Sequence, residues 1–236
     1  MIKIILIGAF GKMGKALGEA ISKERDMKII YGIEREDHSD LNKPFYDGYL
    51  LSNLEKVINE CDVCVEFTNP QATLEHLEII KKAKKPFLTG TTGFTKEEME
   101  ILKAAGKEIP LLYSSNYSFG INLIFKILNE IIKILPDNYD ITLIETHHKE
   151  KKDAPSGTAK RMAEIIKEKK DKEIKTISLR FGDVVGKHNL IFATNGEIIE
   201  ITHNALSRFA FANGVIYGIR FLVKQKSGFH LFEEII

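Results

Sequence analysis

At 236 residues the chain is long enough to bury one large apolar core or two modest ones. Its 34 lysines and arginines nearly balance 33 aspartates and glutamates, leaving a net charge of +1, too weak a field to argue for nucleic acid or an anionic membrane as partner. Apolar runs break well before the roughly 18 residues of a bilayer span, and the opening MIKIILIGAFG lacks the architecture of a cleavable signal, so a cytoplasmic protein is expected.

The first half alternates short apolar runs with helical patterns: IKIILI, a helix from about Met13, KIIYGIE, DVCVEF, a helix around 74–83, PFLTG, a further helix and PLLYSS. The βαβ rhythm and the nearly unbroken Ile, Leu and Val of the strands predict a doubly wound parallel sheet covered on both faces. After Asn116 the grammar changes. A helix over 121–135 stops at Pro136, DITLIETHH reads as a strand, and KTISLRF, NLIFAT and EIIEITH follow, the last two flanking Asn195-Gly196, a strong hairpin signal. This predicts an α+β domain with an open mixed or antiparallel sheet. From Ser207 a helical pattern, RFAFANGVIYGIRFLVK, is expected to return the chain to the first domain. The predicted division is 1–117 for dinucleotide binding, 118–208 for substrate binding and oligomerisation, and 209–236 for the returning segment.

IKIILI runs directly into Gly8-Ala9-Phe10-Gly11-Lys12-Met13-Gly14 and a helix, the strand, glycine turn and helix context of a Rossmann-like dinucleotide site. The spacing is G-x-x-G-x-x-G, one residue from the commoner form, and serves the same need: a sharp turn and helix-start amides facing a pyrophosphate. Glu34 stands 20 residues after Gly14, where an acid would meet a ribose hydroxyl. Arg35 beside it suits a 2′-phosphate, or else forms a solvated charge pair; both NADPH and NADH are therefore candidates. Two more turns follow strands: Phe67-Thr68-Asn69-Pro70, and Gly90-Thr91-Thr92-Gly93-Phe94, whose hydroxyls and amides suit a carboxamide or a carboxylate.

The densest chemistry lies in Glu145-Thr146-His147-His148-Lys149-Glu150-Lys151-Lys152-Asp153-Ala154-Pro155-Ser156-Gly157-Thr158, leaving a strand and entering a helix. Histidine exchanges a proton near neutral pH, Lys151 can donate one or pair with an anion, and Ser156-Gly157-Thr158 supplies a helix start. The same text also fits a solvated charged loop with Ser156 as N-cap. Tandem histidines lack zinc-motif spacing, so no metal is expected. Cys61 and Cys64, placed on one apolar strand, are expected to face opposite sides as buried small hydrophobes.

HHKEKKDAPSGT resembles the signature H-H-x-x-K-x-D-A-P-S-G-T of the 4-hydroxy-tetrahydrodipicolinate reductase family, formerly called dihydrodipicolinate reductases. GAFGKMG, GIERE, EFTNP, GTTGF, SSNYSFGIN, FGDVVG and ITHNALSRFAFANG match in order. The resemblance implies NADPH- or NADH-dependent reduction of 4-hydroxy-tetrahydrodipicolinate, a small dicarboxylate, with loss of water, on the diaminopimelate route to lysine. It also implies a homotetramer joined through the C-terminal sheet. His147 and Lys151 take the catalytic positions; His148, Ser156, Gly157, Thr158, Arg208 and Thr92 take substrate positions. The implied cofactor set is Gly8, Lys12, Met13, Gly14, Glu34, Arg35, Phe67, Thr68, Gly90, Thr91, Thr92, Ser114, Asn116 and Tyr117. Asn69 departs from members with an arginine there, and the tail after Phe229 is short. A dehydrogenase of the same design acting on an amino or sugar acid, or a dinucleotide-sensing module with a dimerising sheet, would share the glycine turn. Neither needs the histidines, Lys151 and the helix-start triplet in one loop.

Overall fold

The computed structural model describes residues 1–170, 172 and 174–236. They form two units, 1–117 with 211–236, and 118–210. The first begins β1 (Ile2–Ile7), α1 (Lys12–Ile21), β2 (Met27–Ile33), β3 (Pro44–Phe45), β4 (Gly48–Leu51), β5 (Val63–Glu66), α2 (Pro70–Lys82), β6 (Phe87–Thr89), α3 (Lys96–Ala105) and β7 (Pro110–Tyr113). The unbroken apolar runs are explained by double-sided burial: Ile4 to Ile7 are at most 1% exposed, and Val63 to Val65 are fully buried. Helix starts follow from local chemistry. Thr95 and Glu98 close a capping box at α3, and the Asn69 carboxamide accepts the Ala72 amide ahead of Pro70 at α2.

The second unit holds α4 (Phe119–Ile134), β8 (Asp140–His147), α5 (Gly157–Lys170), β9 (Lys175–Arg180), β10 (Gly186–Ala193) and β11 (Ile198–Ala205). Its sheet runs β11-β10-β8-β9. β8, β10 and β11 are antiparallel neighbours, β10 and β11 joined by the Asn195-Gly196 turn, whereas β9 lies parallel to β8 after the α5 crossover. Ile121, Phe125 and Leu128 of α4 and Met162, Ile165 and Ile166 of α5 pack with Ile141, Leu143, Leu190 and Phe192 on one sheet face. The edge strands keep apolar side chains in the open, with Ile198 66% and Leu179 41% exposed.

α6 (Phe209–Leu222), β12 (Gly228–Leu231) and α7 (Phe232–Ile235) end the chain. β12 pairs in parallel with β7, completing the order β12-β7-β6-β5-β1-β2-β4-β3. β3 and this last strand sit at the two sheet edges, where Pro44 is tolerated, and β3 and β4, of two and four residues, are too short to show a pattern. Cys61 corrects an expectation. It precedes β5 rather than lying on it, so strand alternation does not apply, and its thiol lies 3.8 Å from that of Cys64, both buried.

Candidate functional site

In the first unit the site grows from the C-terminal ends of β1, β2 and β5. The chain leaves β1 for β2 on one side and returns to β5 on the other, the strand reversal that leaves a crevice in open α/β sheets. Gly8, just after β1, has φ +78°, and a Cβ there would stand 2.6 Å from the Phe67 carbonyl oxygen. A Cβ on Gly14 would stand 2.2 Å from the Gly8 oxygen. Only glycine fits either position, and the close approach brings the N-terminus of α1 to the crevice.

A cleft of about 620 Å³ opens at this point, lined by Gly8, Gly11, Glu34, Arg35, His38, Phe67, Thr68, Asn69 and His76 among others. Glu34 accepts the Phe10 amide at 2.7 Å, which anchors the glycine turn to the end of β2. Arg35 is 80% exposed, its Nε 3.6 Å from Asp37. Asn69 is committed to capping α2.

Behind the cleft, buried Glu66 takes the Thr68 hydroxyl at 2.5 Å and meets His76 Nδ1 at 3.0 Å. Burial alone would lower the His76 pKa, but the hydrogen bond to Glu66 and the attraction of that side chain outweigh it and raise it. Thr73 reaches both Glu66 and Thr91, and Thr91 Oγ1 accepts the Thr68 amide at 3.1 Å. Sequence reasoning singled out Thr68 and Thr91 but missed the Glu66, Thr73 and His76 that brace them; a carboxylate ending an otherwise apolar strand was the available signal. Ser114 is turned onto Asn116, accepting its amide at 3.1 Å. Tyr117 is 1% exposed with its hydroxyl between the Thr89 and Leu112 carbonyls, so its side chain anchors the fold and only its backbone is left for a cofactor. Lys12 and Met13 open α1, and Gly90 and Thr92 lie half-buried in the turn after β6.

In the second unit, alternation along β8 points Ile141, Leu143, Glu145 and His147 to the same buried face. The first two enter the apolar core; the last two extend it as a polar end. Register sets their neighbours: Glu145 stands opposite His188 of β10 and Ser178 of β9, and His147 opposite Arg180. His147 Nδ1 is hydrogen-bonded to Glu145 Oε2. Arg180 forks onto Glu145 at 3.0 and 2.7 Å and reaches the Asp153 carbonyl at 2.5 Å. Burial would raise the Glu145 pKa, but hydrogen bonds from Arg180, Ser178 and His147 hold it down to about 2. Burial lowers the pKa of His147, outweighing the opposite pull of Glu145.

Lys151 pairs with Asp153 at 2.8 Å. Ser156 is 2% exposed; its hydroxyl accepts the Ala159 amide at 3.3 Å and lies 3.3 Å from His188 Nε2. It is thus the N-cap of α5 and is turned inward, while Gly157 and Thr158 form the helix's first turn, a favourable position for an anion. His148 follows the strand half-buried. Among the described residues, no hydrogen bond or ion pair ties Arg208, between β11 and α6, to this cluster. Arg180 and His188 are brought in by the fold alone, and Glu145, which opens the run singled out in the sequence, gains its role from them.

Family models described as the N-terminus and the C-terminus of dihydrodipicolinate reductase match residues 2–117 and 120–236. The 4-hydroxy-tetrahydrodipicolinate reductase of Aquifex aeolicus is 37% identical over 261 aligned positions, covering 100% of this chain and 98% of that protein. A dipicolinate-bound dihydrodipicolinate reductase from Paenisporosarcina sp. TG-14 superposes with a TM-score of 0.81 at 25% identity, covering all of both chains. A myo-inositol dehydrogenase from Corynebacterium glutamicum shares the fold at a TM-score of 0.63 and 12% identity, over 97% of this chain and 90% of that one. With family matches over both halves and a full-length relative above 30% identity, the chain belongs to the dihydrodipicolinate reductase family.

Proposed function

We propose that the chain reduces 4-hydroxy-tetrahydrodipicolinate to tetrahydrodipicolinate with loss of water, on the diaminopimelate route to lysine. The observation that carries this reading is the cluster at the end of β8, where His147, Lys151 and the first turn of α5 converge in a chain of this family. The cleft fits a nicotinamide dinucleotide: Gly8 and Gly14 let the turn close tightly on its own backbone, which brings the start of α1 to the crevice where a pyrophosphate would sit, and Glu34 closes the end of β2. When bound, that cofactor supplies the hydride. The remaining roles belong to the protein. Lys151 and His147 face the charge and the proton, the Gly157 and Thr158 amides with His148 and Arg208 take the substrate carboxylates, and Gly90 to Thr92 border the nicotinamide. In the purified protein, NADH absorbance at 340 nm is expected to fall on adding freshly made substrate; no fall with either NADH or NADPH would remove the assignment.

Arg35 lines the cleft with its side chain 80% exposed and can turn toward a 2′-phosphate, so both cofactors are expected to serve. Arg35→Ala should weaken NADPH binding by about tenfold while NADH changes little. Equal losses in fluorescence titrations with the two cofactors would reject this role.

The exposed Ile198, Ile199 and Leu179 support a homotetramer formed through the second unit's sheet in a cytoplasmic enzyme. Light scattering at micromolar concentration should give a tetramer; a monomer would count against that surface.

A further inference from the structure

We propose that Glu145, fixed by Arg180, is the positioning residue for His147: it holds the imidazole as the tautomer carrying hydrogen on Nδ1 and leaves Nε2 as the only atom that exchanges a proton. This rests on the reading above that His147 acts in the reduction.

An ionised carboxylate only accepts hydrogen bonds, so the ring nitrogen facing Glu145 Oε2 must be the one bearing hydrogen. Glu145 has no solvent exposure and would be costly as an unpaired charge, but the Arg180 fork neutralises it and fixes its plane. The Ser156 amide, 3.3 Å from Oε1, adds a third restraint from the start of α5. On the far side of the ring space is kept by Gly186: a Cβ there would stand 3.2 Å from His147 Nε2. His147 is 8% exposed, so the ring is held from behind and open at one edge.

The groups facing His147 are Glu145 on its own strand, Arg180 on β9, His188 on β10, and Lys151 with Asp153 in the following loop. Glu145 raises the proton affinity of the imidazole, whereas Arg180 and Lys151 lower it. Glu145, His147 and His188 also bring three donor atoms within 4.8 Å of one another, a geometry a metal ion could share. Both Glu145 oxygens carry the Arg180 guanidinium, however, and a metal cation there would meet a fixed positive charge. The cluster is therefore built to orient an imidazole.

Two measurements test this. In the ¹⁵N-labelled wild-type protein, the His147 ring should show the Nδ1–H tautomer above its titration; an Nε2–H ring would overturn the proposal without need of any variant. In steady-state kinetics on 4-hydroxy-tetrahydrodipicolinate, Glu145→Gln should lower kcat on the order of 10²-fold with KM within about threefold. The limb of the pH profile assigned to His147 should move to lower pH in Glu145→Gln and to higher pH in Arg180→Gln, because the two charges act on the ring with opposite sign. A merely structural role would not produce opposite shifts. A Glu145→Gln enzyme near wild-type kcat beside a crippled His147→Ala would overturn the positioning role alone. Wild-type turnover in His147→Ala as well would overturn the catalytic reading of His147 on which it rests.

Discussion

Replacing Lys151 or His147 by alanine is expected to lower turnover on the order of 10²-fold or more, the usual scale for a general acid, while NADH binding stays intact. Reducing a conjugated imine drives negative charge into the substrate ring, so the site must hold cationic donors and a proton near the reacting atoms. Lys151 is an ammonium positioned by Asp153 at 2.8 Å. Burial lowers the proton affinity of His147 and so favours the neutral ring, which can accept or relay a proton. The α5 start has a different task, anchoring a carboxylate, so Thr158→Val should chiefly raise the Michaelis constant. Stopped-flow kinetics with separate titration of NADH distinguishes these effects. Wild-type turnover in a folded His147→Ala, Lys151→Ala double variant would move the proton source to solvent or another side chain.

Much of the candidate site was legible because its residues are contiguous in the chain. Gly8 to Gly14 run from the end of β1 into α1, and His147 to Thr158 from the end of β8 into α5, so spacing and strand context reveal each run together. What supports them comes from elsewhere. Arg180 and His188 reach Glu145 through pairing of β8 with β9 and β10, and a sequence read alone does not fix register across a parallel crossover. One signal for the missing shell was present in DITLIETH itself. Its alternation, Ile141, Leu143, Glu145, His147, carries a carboxylate onto the face that two apolar residues mark as buried, and a buried carboxylate demands a partner. The short strands β3, β4 and β12 were hidden for another reason: at two to four residues they are too brief to show a strand period. The inward turn of Ser156 belongs to the same lesson. Its place before a helix predicted a cap, and its contact with His188 appears only when β10 is paired.

Mild acidification should destabilise the fold, with His188 leading the loss. Its ring is 3% exposed, with Nε2 near the Ser156 hydroxyl and a buried Nδ1 that has no hydrogen-bond partner among the described residues. Burial first, and the neighbouring His147 second, push its pKa from 6.5 down to about 3. The sign follows from proton linkage. Below pH 6.5 the unfolded chain binds a proton that the folded ring refuses, so stability falls as pH drops from the unfolded value toward the folded one. His147 and His203, also lowered by burial, act in the same direction. Glu145 acts in a separate window: its pKa is depressed from 4.5 to about 2, so its contribution is complete above pH 4.5 and is lost only in stronger acid. Between pH 6.5 and 5 the histidines therefore act alone among these groups, and His188 should account for roughly 2 kcal/mol at 1.36 kcal/mol per pH unit. Urea unfolding of the wild type and of His188→Gln at both pH values measures it. The glutamine variant, with no proton to gain, should show a shallower fall; a slope as steep as the wild type's would assign the acid sensitivity to other groups.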